Sequence, residues 1–148
     1  MQEIIPYVSL DYSKMKKHFL NAKNQDIPYV LQALRWRISK STNSRLKISV
    51  LKTLIYYDIF GIAQNEKDLL KSLLFSKDEM VVEYSLRLIN IFASESIGIV
   101  YLTKNIPQEN HLIVSLCEFL QVEQSDTIIR QNIVGILQKL SVKSKAQQ

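Results

Sequence analysis

Residues Asp78–Ser94 read DEMVVEYSLRLINIFAS. Asp78 stands where a carboxylate accepts from the orphan N–H groups of a helix's first turn, and Glu79 complements the positive end of the macrodipole. Capping explains this acidic pair better than catalysis does, because an apolar helix follows it at once. The reading predicts a helix over 79–93. Shifted forward by 48 residues, the window recurs. Asp78 falls on Asp126, Val81 on Ile129, Leu86 on Val134, Leu88 on Ile136, Ile89 on Leu137 and Phe92 on Leu140. Shifted back by 38, Leu86, Leu88, Ile89 and Phe92 fall on Ile48, Val50, Leu51 and Leu54. Leu70, Leu73 and Leu74 likewise match Leu116, Phe119 and Leu120. One such unit cannot bury its apolar face alone, so neighbours must stack into a continuous core.

The helices on either side follow from local signals. Residues 1–9 are an irregular lead-in containing Pro6. Asp11 opens a helix carrying Tyr12, Met15 and Phe19. Asp26 opens the next, with Pro28 in its first turn and Ile27, Val30, Leu31, Leu34 and Ile38 on one stripe. A third helix runs from about Arg45 to Tyr57 and buries Ile48, Val50, Leu51, Leu54 and Ile55. A short helical turn follows near Gly61. Asn65 with Asp68 reads as a weak capping box for a helix with Leu69, Leu70, Leu73 and Leu74 as its core. Ser94 or Ser96 caps a short helix to about Lys104, Pro107 opens another, and Asp126 caps the last, to about Ser141. The tail 142–148 has no apolar stripe and is expected to fray.

Composition narrows the class. The chain has 148 residues, 47% hydrophobic and 22% charged, a globular balance. Three Gly and three Pro are too few for a sandwich, a barrel or a run of tight hairpins. The single Cys117 excludes an internal disulfide and a Cys-rich zinc site; inside SLCEFL it reads as buried, inert packing. No apolar run reaches the ~18 residues of a membrane span. His18 and His111 are far apart and read as surface residues. Isolated glycines build no phosphate loop. The expectation is no enzyme, no cofactor and no metal. The net charge of +5 is uneven: residues 1–55 hold ten Lys/Arg against three Asp/Glu, and the rest nine against eleven. The basic half suits an acidic partner.

Offsets of 38 and 48 bracket the ~40–47-residue period of armadillo and HEAT repeats. A long helix, a short one and another long one is the armadillo order, and 78–94 resembles its leucine-spaced, Ala-Ser-ended helix. The expected fold is all-α, an armadillo/HEAT-like α-solenoid of about three repeats over residues 10–141, against a compact helical bundle as rival. Helices 45–57, 107–121 and 126–141 are candidates for the groove. Arg35, Trp36, Arg37, Lys47, Lys52, Arg87 and Arg130 are the candidate protein-binding residues. Trp and Arg dominate interface hot spots, but the favoured reading packs Trp36 between units while the arginines snorkel or pair with acids. Lys14, Lys16, Lys17 and Lys23 read as a solvated face. Ile128, Ile133, Ile136 and Leu140 are expected to form an exposed, sticky C-terminal face.

Four blocks, SLDYSKMKK (9–17), LQALRWRI (31–38), VVEYSLRLINIFAS with YLTKN (81–94, 101–105) and IIRQNIVGILQKLS (128–141), resemble in order and spacing the LisH-domain armadillo-repeat proteins of cilia, the armadillo repeat-containing protein nine family. The resemblance implies a non-enzymatic scaffold of cilium, basal body and centriole. Its partners would be TOG-array microtubule-associated proteins or tubulin, in ciliary assembly, tip and axoneme stability and signalling. Members carry a LisH segment and a coiled-coil-like region before the armadillo block and further repeats after it; this chain reads as a fragment or a short paralogue. The alternative is a nucleic-acid-binding helical repeat, though its charge excess is small for that role. An import-adaptor groove would want a Trp ladder, and Trp36 is the only Trp.

Overall fold

A computed structural model describes residues 12–20, 25–40, 43–104, 110–122 and 127–146. These form eight helices and no strand: α1 (Tyr12–Leu20), α2 (Ile27–Ser39), α3 (Ser44–Tyr56), α4 (Lys67–Leu74), α5 (Glu79–Ala93), α6 (Ser96–Leu102), α7 (His111–Val122) and α8 (Ile128–Ala146). The all-α expectation therefore holds. The lead-in 1–9, Asp11, Lys23, Pro107 and Asp126 lie outside the described residues.

Four helix starts carry a side-chain cap. The Asp78 carboxylate caps α5, accepting from Met80 N–H at 3.0 Å. Asn43 caps α3 through Leu46 N–H at 2.9 Å. Asn110 accepts from Ile113 N–H at 3.0 Å, and its amide donates to Leu102 and Lys104 carbonyls at 2.8 and 2.7 Å, so one side chain caps α7 and closes α6. Thr127 Oγ1 accepts from Arg130 N–H at 3.1 Å at the start of α8.

Three expected caps differ. Asp26 precedes α2 with helical backbone angles and makes no capping bond through its side chain. α4 begins after Glu66, not after Asn65, whose φ of 56° places it in the left-handed turn before the helix. Glu95, in extended conformation, precedes α6 in place of Ser94 or Ser96. α8 runs past Ser141 to Ala146. Propagating an established helix costs little, so the end of the apolar stripe is not the end of the helix.

Packing follows a period of three. α1 packs on α4 and α4 on α7; α2 on α5 and α5 on α8; α3 on α6. α5 also touches α4 and α6, which puts it at the centre of the fold. Val81, Val82, Ser85, Leu86, Leu88, Ile89, Phe92 and Ala93 are therefore buried, at about 1.5–3 kcal/mol for each large apolar side chain. The 48-residue register, α5 onto α8, matches a stacked pair. The 38-residue register does not: α3 lies in the row of α6, and the helix stacked on the other side of α5 is α2. Both α2 and α3 offer Leu and Ile at helical spacing, and hydrophobic period alone cannot choose between them.

The expected sticky C-terminal face is also corrected. Ile133, Ile136 and Leu140 are buried, and only Ile128 is exposed. They lie on the stripe that α8 closes against α5 and α7.

Candidate functional site

The segment between α3 and α4 forms a chain of turns held by one carboxylate. Asp58, itself at φ 50°, is buried. Its Oδ1 accepts from Tyr101 Oη at 2.7 Å and from Ala63 N–H at 3.1 Å, and its Oδ2 accepts from Gln64 N–H at 2.9 Å. Tyr101 Oη in turn accepts from Phe60 N–H at 3.0 Å. Burial first, and then the neighbouring Asp58 charge, hold the Tyr101 phenol far above its ordinary pKa, so it stays a donor. Lys16 reaches Glu66 at 2.6 Å and Asp58 at 3.9 Å. Lys16 thus belongs to an interior ion-pair joint, not to a solvated face. These contacts run within the fold, so the joint positions α1, α4 and α6 relative to one another.

The structure separates the sequence-selected residues. Arg35 of α2 and Arg87 of α5 come together: with Asn90, Ile91 and Ser94 they line one surface depression of about 290 Å³. Arg35 Nε is buried there without a hydrogen-bond partner. Arg87 also pairs with Glu83 at 3.0 Å, one helical turn before it. Lys47 and Lys52 lie apart on α3. Lys47 pairs with Glu95 at 3.4 Å; Lys52 lines a separate depression of about 420 Å³ with Ser44, Arg45, Ile48 and Ser49. Arg130 is structural in part, donating from Nη1 to the Leu120 carbonyl at 3.2 Å and so tying α8 to the end of α7.

Trp36 does not pack between units. It is 48% exposed, with Lys40 Nζ 5.0 Å from its ring centroid, while Arg37 beside it is half-buried. Tyr29, Ala33 and Trp36, all exposed, form a stripe along α2 that exposed Lys40 continues at its C-cap. Cys117 is exposed as well, contrary to the packing expectation; α7 directs Leu112, Ser115 and Leu116 inward.

Sequence reading missed Asn90, Ser94 and Lys139. Lys139 of α8 donates to Asn90 Oδ1 at 2.7 Å and Ser94 Oγ at 2.8 Å, bridging to the rim of the depression. A signal for the α2–α5 pairing was present: Leu34-Arg35 follows Asp26 at the distance at which Leu86-Arg87 follows Asp78. Both leucines are fully buried, and both arginines reach the same depression. Among the described residues no helix is long and apolar enough to cross a membrane, and no three His, Cys, Asp or Glu side chains gather as metal ligands.

Nearly the whole chain is similar to part of a longer protein found in several vertebrates. It is 36% identical over 146 residues to LisH domain-containing protein ARMC9 of Xenopus tropicalis, covering 99% of this chain and 18% of that protein. The protein of the same name from Danio rerio is 37% identical over 140 residues, 95% of this chain and 16% of the relative. That from Homo sapiens is 34% identical over 139 residues, 94% and 16%. The chain thus spans about a fifth or less of the length of these curated relatives. No family model matches it, and no solved structure matches it.

Proposed function

We propose that this chain is a non-enzymatic, protein-binding helical repeat of the cilium and basal body, an armadillo-like α-solenoid of about three units. The observation that carries the reading is the three-place stacking of helices, α1·α4·α7, α2·α5·α8 and α3·α6, in a chain whose relatives bear the ARMC9 name. Three helices per unit, stacked row on row, give a continuous core and long open surfaces on which side chains select a partner. The α2–α5–α8 row is the favoured binding surface, since Arg35 and Arg87 meet there; of the helices first considered for the groove, only α8 belongs to this row. The ciliary assignment rests on the similarity to ARMC9. The expected partners are TOG-array microtubule-associated proteins or tubulin. The chain's share in ciliary assembly, tip and axoneme stability and signalling would be that of a scaffold.

The test is to tag the chain in a ciliated cell and image it beside a basal-body marker. Signal at basal bodies or the ciliary tip supports the reading and shows that these helices suffice for targeting. A diffuse signal, with no ciliated-cell partner recovered on the tagged chain, would remove the ciliary assignment.

A further inference from the structure

We propose that the depression shared by α2 and α5 and bordered by α8 is a docking groove for an acidic, extended segment of a partner protein, with Arg35, Arg87 and Lys139 engaging its carboxylates. The inference rests on the protein-binding reading above and adds the chemistry of the ligand. Three successive helices of one row each place a cation at one site. Arg35 and Arg87 line the depression, and Lys139 is held at its edge by Asn90 and Ser94. Glu83, paired with Arg87, is the acid on the other side of the balance. A guanidinium carries five donors, so this ion pair leaves Arg87 able to bind a second carboxylate. Arg35 is half-buried at the depression, and its guanidinium has terminal N–H donors besides the buried Nε.

The spacing suits a peptide. Packed helices lie ~8–10 Å apart, so three in a row span ~16–20 Å, the length of about six extended residues. Carboxylates two or three residues apart would meet successive cations, while the Asn90 amide nitrogen offers a donor to a peptide carbonyl. Half-buried Ile91 supplies an apolar floor. A nucleic-acid backbone fits less well. It presents a charge every ~1.7 Å of duplex, and base stacking wants aromatic platforms. Neither Trp36 nor Tyr29 is among the residues lining this depression.

The experiment measures fluorescence anisotropy of a labelled alternating Glu-Gly decapeptide, its Gln-Gly counterpart and a single-stranded RNA decamer with the full chain. The expected result is that the Glu peptide binds about tenfold or more tighter than the Gln peptide, and that Arg35→Gln, Arg87→Gln and Lys139→Gln together weaken it about tenfold. Removing as many charges elsewhere, by Lys17→Gln, Lys71→Gln and Lys77→Gln, should change it by less than about twofold. The charge-conserving set Arg35→Lys, Arg87→Lys and Lys139→Arg should retain preference for the Glu peptide, with circular dichroism confirming helix content in every variant. Equal weakening by both Gln sets, no binding by the unmodified chain, or tighter RNA binding lost on the groove substitutions would overturn the proposal. The two readings fail separately. Basal-body signal without Glu-peptide binding removes the groove alone; a diffuse signal with groove-dependent peptide binding removes only the ciliary assignment.

Discussion

Tyr101 donates its phenolic hydrogen to the buried Asp58 carboxylate at 2.7 Å while its oxygen accepts the Phe60 N–H at 3.0 Å. One hydroxyl thus satisfies a charge and a backbone donor across the core, linking α6 to the turns after α3. The Tyr101 ring also lies 6.0 Å from Phe92 and 6.4 Å from Phe60. Tyr101→Phe keeps most of the packing and removes both hydrogen bonds. An unsatisfied buried group costs ~1–3 kcal/mol and a charged one more, so the variant should lose about 2–4 kcal/mol in urea unfolding. A loss below about 0.5 kcal/mol would show that water replaces the hydroxyl.

The same contact sets an alkaline limit. Tyr101 has a raised folded-state pKa, chiefly by burial, so its protonated form is favoured in the native chain. Its contribution is fully present below the unfolded tyrosine pKa of about 10 and is lost as pH rises above that value, because only the unfolded state then ionises readily. Thermal denaturation followed from pH 8 to 11 should show stability falling at the alkaline end. Tyr101→Phe should flatten that fall, since phenylalanine has no proton to lose; parallel curves for the two proteins would assign the fall to other groups.

Two helical glycines should answer alanine oppositely. A Cβ on Gly98 would collide with the Phe92 carbonyl, backbone that cannot step aside, where α6 crosses the end of α5. A Cβ on Gly135 meets nothing within 4 Å. Gly98→Ala should cost about 3 kcal/mol or more, or prevent folding; Gly135→Ala should stabilise by about 0.5–1 kcal/mol, the helix-propensity gain. Chemical denaturation of the pair reads both, and the stabilised variant serves as the control for expression.

Ser85 is fully buried in α5, and its hydroxyl has no hydrogen-bond partner. Ser85→Ala removes an unpaired polar atom and a little volume. The net effect should be neutral or stabilising by up to about 1 kcal/mol, whereas a loss beyond that would reveal a bound water at the site.

Trp36 separates packing from surface. A Trp locked in the core loses ~3–5 kcal/mol on truncation. Half-exposed beside Lys40, Trp36→Ala should cost less than about 1.5 kcal/mol. A change in Tm matching that of a core leucine truncation, such as Leu34→Ala, would contradict the exposed placement.

The all-helical class and the approximate position of each of the eight helices among the described residues were legible in the chain. Apolar residues recur at helical spacing, and the Asp78 cap needs only residues within one turn of it. The equivalence of α5 and α8 was legible too, because both carry the same stripe after an aspartate. The α2 partnership was missed in favour of α3, though Leu34-Arg35 and Leu86-Arg87 carried it. Buried leucines at the right period say that a helix packs, not against what.

Local interactions therefore settled in the sequence alone the helices, the Asp78 cap and the stretches of chain that had to be buried. Contacts between residues far apart in the chain settled the rest. Tyr101 found Asp58, Lys139 found Asn90 and Ser94, and Arg35 came beside Arg87 only when helices three places apart stacked. Trp36 and Cys117 were left at the surface, and Ile133 and Ile136 were closed into the core, by the same stacking. Helical periodicity is a property of one segment and its hydrogen bonds. Burial depends on which other segment arrives, and that is fixed by the fit of whole faces.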